Sequence, residues 1–382
     1  MAAPVYPTLR CGLFYKVRSK EPIVGEVPAP YIVAMVGALG GVALGLSARL
    51  GRFCTLAAIE DAMFSRDMRR LRMWALAIGV AIAGVIALRE TGTVAFSQAL
   101  YNRLDVNPLA WITGGVMFGI GMAFCGTCGF GTLARVGGGD LRALFVFLVL
   151  GIAAYMAIAG PTAQLREIIF SPLDIPNVSA ANTLYDVFGA DMFGRWLMEG
   201  LILALLVGWA LSSAAFRASP ARVFWAVMAG LAIVSGWWVT GTVGLDPFDP
   251  QPLVSHTYTV PLGQTLIYLM TMTNASLTFG VASTLGVIGG AFAGALIRGE
   301  FRWEGADDAR EMRRHLVGAA LMGTGGVLAG GCTIGQGLSA ASMLAISAPI
   351  VLASIWCGVW LGLTYLLEGS VTRGFRALFK WT

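Results

Sequence analysis

The chain has 382 residues, 57% of them hydrophobic and only 12% charged, with a formal net charge of +5 and a mean hydropathy of +0.74. Soluble domains carry about 25% charged residues, so a water-soluble globule is excluded. Apolar runs of roughly 20 residues, enough to cross a hydrocarbon core, recur without the alternation of a transmembrane β-barrel, and the chain reads as an all-α integral membrane protein.

Residues 1–30 form an N-terminal arm with Cys11, Arg10, Lys16, Arg18 and Lys20. The arm lacks the apolar segment of a cleavable signal peptide. Long spans are then expected at 31–49, 73–89, 109–125, 141–160, 196–216, 223–241, 277–297, 315–330 and 344–367. Shorter apolar pieces lie at 53–64, 126–134, 263–273 and 332–341, each starting at or near a glycine. About nine transmembrane helices plus four half-length helices is the resulting inventory. Broken helices of this kind are tolerated in a bilayer where they line a cavity.

Loop charge sets the orientation. Ser65–Arg72, Arg217–Arg222, Arg298–Arg314 and the tail with Arg373, Arg376 and Lys380 are rich in basic residues and are expected to be cytoplasmic. The stretch 161–195 carries Glu167, Asp174, Asp186 and Asp191, and 246–262 carries Asp246 and Asp249 without Lys or Arg, so both are expected outside. Nine spans put the N-terminus outside, whereas its own basic residues favour the cytoplasm. The modest charge serves topology and contact with membrane lipid; no nucleic-acid module is visible, and no cofactor is implied.

An internal repeat organises the chain. Laid without gaps over Gly318–Gly335, the segment Gly114–Gly131 places Gly114, Gly119, Gly121, Gly126, Cys128 and Gly131 on Gly318, Gly323, Gly325, Gly330, Cys332 and Gly335. Loop charge starts the first copy outside and the second inside, so the copies are inverted, the plan that brings two broken helices to a midplane substrate site. The expected organisation is a first membrane repeat at 31–160, an outward loop and linking helix at 161–222, a second, inverted repeat at 223–367, and a cytoplasmic tail at 368–382.

Cys128 and Cys332 each open a short helix after a glycine break, and Cys54 follows Gly51 and Arg52 in the same way. Helix starts present unpaired N–H groups and partial positive charge, which suits an anion. A buried cysteine is otherwise a small hydrophobe, the reading that fits Cys357 in its unbroken span; Cys11 reads as incidental. Gly126 and Gly331 shape the breaks. Gln336, one turn beyond Cys332, offers an amide to an oxyanion or cross-links helices, and Gln264 is where repeat logic puts a fourth pathway group. Glu60 and Asp61, at membrane depth or near the cytoplasmic surface, are weighed as functional by default; Arg135, Asp140 and Arg142 read first as membrane anchors. His256 and His315 are expected to have surface roles.

The segments GMAFCGTCGFGTLARVGGGDL, LAGGCTIGQGLSA and GRFCTLAAI resemble the three cysteine motifs of the YeeE/YedE family of sulfur transport proteins, and Thr278–Trp303 resembles its second half. The resemblance covers roughly residues 31–367. It implies a multi-pass protein of the bacterial inner membrane that is not an enzyme. Uptake of thiosulfate is implied with it, with Cys54, Cys128 and Cys332 along the path. A separate cytoplasmic sulfur carrier of the TusA type is the implied partner. The chain departs from the usual Gly-Gly-Cys at Gly126-Thr127-Cys128 and adds Cys125, which leaves the substrate open among thiosulfate, sulfide, polysulfide and selenium analogues.

Thiosulfate also fits on physical grounds. Burying two charges is costly without partners; half-helix N–H groups serve its oxygens, and polarizable thiols contact its soft sulfur. Neutral thiols bind weakly, and weak serial sites allow passage. Two other readings compete. The Cys125/Cys128 pair matches a C-x-x-C redox motif, which a membrane thiol–disulfide oxidoreductase would use. Thiols also favour soft metals, although the two histidines and 16 scattered methionines do not build an obvious ligand set.

Overall fold

The computed structural model describes residues 28–103, 105–175, 183–189, 191–245, 252–305 and 308–369. The expectations for Cys11, the basic arm, Asp246, Asp249 and the basic tail lie outside these residues. The principal helices are α1 (Ala29–Arg49), α2 (Thr55–Glu60), α3 (Arg69–Glu90), α4 (Pro108–Cys125), α5 (Gly129–Gly137), α6 (Leu141–Ala159), α7 (Met192–Ser212), α8 (Pro220–Gly241), α9 (Val260–Thr271), α10 (Phe279–Arg298), α11 (Ala309–Leu328) and α12 (Ser347–Glu368). Among the described residues, eight helices are long and apolar enough to cross a membrane. The ninth expected span corresponds to α11, a 20-residue helix whose first two turns carry Arg310, Glu311, Arg313 and Arg314. Asp308 caps it by accepting the Arg310 N–H at 2.8 Å, which sets its start earlier than hydropathy alone suggests.

The four expected half-length pieces are all helical, with shifted ends. Gly126 closes α4 in the left-handed conformation at φ +64°, a backbone that only glycine adopts without strain, so the next helix waits until Gly129. Pro261 lies in the first turn of α9, where its fixed φ suits a helix start. The helix after Cys332 contains a π-helical stretch at Gly335–Ala340, and α2 runs on into another at Asp61–Ser65. Such stretches are uncommon outside functional sites.

Small residues hold the bundle together by letting backbones touch, as they do between membrane helices. Helix α1 packs along α10, α3 along α8, α4 against both α11 and α12, and α6 against α11. The contact of α4 with α11 is reciprocal. A Cβ placed on Gly114 would come 2.6 Å from the Gly325 carbonyl oxygen, and one on Gly325 would come 2.7 Å from that of Gly114. Seven residues along, Gly121 meets Gly318 in the same manner, at 2.5 and 2.8 Å. The two helices therefore cross antiparallel, glycine on glycine.

Helix α7 stands at the edge, with only Glu199 and Ala210 buried. Glu199 receives both terminal nitrogens of Arg89, at 2.6 and 2.5 Å, which ties α7 to the end of α3.

One expectation is overturned. The stretch 246–262 reads as an outward loop, but residues 252–259 descend into the bundle, where Ser255, His256, Tyr258 and Thr259 are buried. His315 is buried as well, so neither histidine is a surface residue. The sequence hides this because a short polar segment is buried through its hydrogen bonds, which leave no hydropathy signal.

Candidate functional site

Cys128 and Cys332 occupy matching local structures. After the Gly126 turn, Cys128 is extended and caps α5, its Sγ accepting the Gly131 N–H at 3.3 Å. After Gly330 (φ +68°) and Gly331 (φ +155°), the Cys332 Sγ accepts the Gly335 N–H at 3.4 Å. In both cases the donor is the glycine three residues on, at positions already aligned by the repeat. Both side chains are 0% exposed. Cys54, also extended, stands just before α2 and is only half-buried.

The three thiols meet through their neighbours. Thr55, next to Cys54, and Thr333, next to Cys332, both adjoin the Cys128 sulfur. Neither hydroxyl forms a well-made hydrogen bond, and the Thr259 hydroxyl is likewise buried and unpartnered. The Thr55 and Thr333 hydroxyls stand beside the Cys128 sulfur and link the surroundings of Cys54 and Cys332 to it. Among the described residues, no three Cys, His, Asp or Glu side chains converge as a metal shell would require. Cys128 lies near both Cys54 and Cys332.

The other expected site residues divide. Gly126 is open above its Cα, with the Arg135 guanidinium the nearest group at 3.9 Å. Gly331 supplies the turn before Cys332. Gln336 uses its amide internally, donating to the Ala329 carbonyl at 2.9 Å and accepting from Ser347 Oγ at 3.0 Å; it closes the break as a cross-link. Gln264 does not join the thiols, because it is exposed on α9 with its side chain beside Gly280. Helix α9 begins at Val260, so the residue at its start is Thr259.

The residues 255–259 are the part of the site that sequence reasoning missed. The Tyr258 N–H donates to Cys332 Sγ at 3.2 Å, and the Thr257 hydroxyl lies 3.9 Å from the same sulfur. His256 Nδ1 and the Tyr258 hydroxyl share Ser283 Oγ of α10, at 2.6 and 2.9 Å. The His256 carbonyl accepts Ser339 Oγ at 2.7 Å. Cys332 is thus clamped by a segment anchored to α10. The available signal was the absence of any Lys, Arg, Asp or Glu from Gln251 to Met270.

Two cavities approach this core from opposite ends. One, of about 220 Å³, is bordered by Asp105, Trp111, Arg166, Asp174 and Gly330. The other, of about 310 Å³, is bordered by Arg49, Arg52, Cys54, Arg70, Arg298 and Glu300. The first reaches the break before Cys332; the second reaches Cys54.

Residues 50–361 match the family model described as "Sulphur transport". The chain belongs to the sulphur transport family. Among relatives of this family member is a thiosulfate transporter, TsuA, of Spirochaeta thermophila, 26% identical over 338 residues, covering 85% of this chain and 96% of the relative. The TsuA of Escherichia coli is 25% identical over 362 residues, covering 90% and 95%. Cys54, Cys128 and Cys332 all fall within the segment that the sulphur transport model matches.

Both relatives carry the name of a transporter. Cys125 donates its S–H to the His315 carbonyl at 3.1 Å and packs on Gly318 of α11. Cys128 instead adjoins Thr55 and Thr333. The two sulfurs of the C-x-x-C pair have different neighbours, and both are free thiols.

Proposed function

We propose that this protein takes up thiosulfate across the bacterial inner membrane, passing it without covalent turnover from Cys332 to Cys128 to Cys54. The carrying observation is the pair of fully buried thiols at matching half-helix starts, with the hydroxyls of Thr55 and Thr333 beside the Cys128 sulfur. The names of the relatives support the substrate, over nearly their whole length. The order follows from the cavities, one ending near Gly330 and the other at Cys54.

Each element has a physical task. The dianion needs donors at its oxygens, and threonine hydroxyls and first-turn N–H groups supply them without a fixed charge that would trap it. The thiols contact its terminal sulfur, which sulfate and phosphate lack. The reciprocal contacts Gly114–Gly325 and Gly121–Gly318 exchange with each other when the repeat copies are exchanged. This supports two inverted repeats, 31–160 and 223–367, joined by 161–222, with the breaks of both at the midplane. Membrane lipid surrounds the bundle, and a separate TusA-like carrier would receive the sulfur in the cytoplasm.

The test is growth of a bacterial strain dependent on an external sulfur source, supplied with thiosulfate alone. The wild-type chain restores growth, and Cys128→Ala and Cys332→Ala chains that insert normally do not. Wild-type uptake by both variants would end the thiol relay.

A further inference from the structure

The cavity that borders Cys54 holds more positive charge than membrane anchoring requires. Four guanidinium groups line it, those of Arg49, Arg52, Arg70 and Arg298, against the single carboxylate of Glu300. Three of them are engaged. Arg70 pairs with Asp61 at 3.1 Å. Arg298 reaches Glu300 at 3.5 Å and the Leu50 carbonyl at 3.2 Å. Arg49 gives its Nε to the Ala134 carbonyl at 3.2 Å. Arg52 has no hydrogen bond or ion pair among the described residues.

Among the described residues, Arg52 is also one of three non-glycine residues with a positive φ, at +56°. L-residues other than glycine and asparagine avoid this conformation, and where it persists it clusters at functional sites. A glycine would make the same turn without strain. The next two residues are Phe53, buried and stacked on Trp74 at 4.7 Å, and Cys54, which borders the same cavity. The strained turn thus places a free guanidinium and a pathway thiol around one space. At about 310 Å³, against roughly 30 Å³ for a water in the liquid, that space holds a small ion with part of its hydration.

We infer that this cavity is an oxyanion-binding vestibule, separate from the buried thiols, in which Arg52 takes a tetrahedral dianion by its oxygens. The inference rests on the transport reading only for its direction: by loop charge this is the cytoplasmic end, so the vestibule is the exit. Guanidinium recognises oxygens in a planar fork and does not distinguish thiosulfate from sulfate. Selection therefore falls to the thiols upstream, and the exit draws the ion off Cys54. An unselective exit has a consequence, because sulfate inside the cell competes for it and slows release. A phospholipid phosphate offers the same chemistry as a free dianion, so the test separates the two.

The full-length chain carrying Cys11→Ser and Cys357→Ser is placed in phosphatidylcholine nanodiscs. Alkylation of Cys54 is followed by mass spectrometry with iodoacetate, an anion, and iodoacetamide, its neutral counterpart. The iodoacetate-to-iodoacetamide rate ratio falls about threefold in Arg52→Gly and Arg52→Gln, the effect of one unit charge several ångströms away through water. It is retained in Arg52→Lys. Sodium sulfate slows iodoacetate more than sodium chloride at equal ionic strength, and this difference disappears in Arg52→Gly.

Equal ratios in the parent and Arg52→Gly, or sulfate acting no differently from chloride, would overturn the inference. So would a Cys54 that reacts with neither reagent. Loss of the sulfate effect when phosphatidylglycerol replaces phosphatidylcholine would overturn it in favour of lipid headgroups. Because alkylation is read and not uptake, a chain that binds sulfate here yet takes up no thiosulfate would sink the proposed function and leave the vestibule standing.

Discussion

The amide N–H of Tyr258 points at the sulfur of Cys332 from 3.2 Å, joining a residue before α9 to one beyond α11. The position of Tyr258 depends in turn on Ser283, which binds its hydroxyl and His256 Nδ1. Ser283→Ala removes the partner these two buried ring groups share and leaves them their mutual 3.5 Å contact, at a cost of about 1–3 kcal/mol. Its melting temperature in detergent falls, and thiosulfate uptake falls with it as the Cys332 clamp loosens. Unchanged melting and uptake would show that this clamp is not needed.

Thr55→Val and Thr333→Val test the opposite case. Their hydroxyls are buried without well-made partners, so removing them relieves a desolvation penalty. Both variants are expected to melt at or above the wild-type temperature while transporting thiosulfate about tenfold more slowly, the effect of one lost hydrogen bond to a charged group. A hydroxyl with only a structural role would lower stability and leave uptake alone.

The cysteines are expected to separate sharply. Cys128→Ser and Cys332→Ser keep a cap acceptor but replace a polarizable atom with a hard one, and uptake is lost although the protein inserts. Cys125→Ala removes a thiol bonded to the His315 carbonyl and keeps most uptake. Equal damage from Cys125→Ala and Cys128→Ala, together with a trapped disulfide between the two, would favour redox chemistry instead.

Glu199 has a side chain 4% exposed and Arg89 one 16% exposed. Breaking such a pair leaves a buried charge, at about 3–5 kcal/mol, whereas replacing both partners is far cheaper. Glu199→Ala should therefore destabilise more than the Arg89→Met/Glu199→Leu double variant, as a melting comparison of the two would read out.

Much of this fold was legible because its strongest signals are periodic or repeated. Hydropathy locates the long helices, and the aligned glycines locate both breaks and pair Cys128 with Cys332. The ends were less legible, because capping by Asp308 and the Pro261 start are local events that a hydropathy window blurs. The burial of His256 and Tyr258 was not legible, since it depends on partners such as Ser283 and Ser339 that lie far along the chain. Nor was it legible that Gln264 is exposed on α9.

At the crossing of α4 and α11, Gly114 meets Gly325 and Gly121 meets Gly318 backbone to backbone, with Met117, Cys125, Met322 and Leu328 packed beside them. A passage cannot open by parting these helices without losing that contact along its length. The crossing is the close-packed seam between the two glycine-rich segments. The short helices beyond it, α5 and the one after Cys332, each begin at a thiol, so any shift of either would carry a sulfur with it.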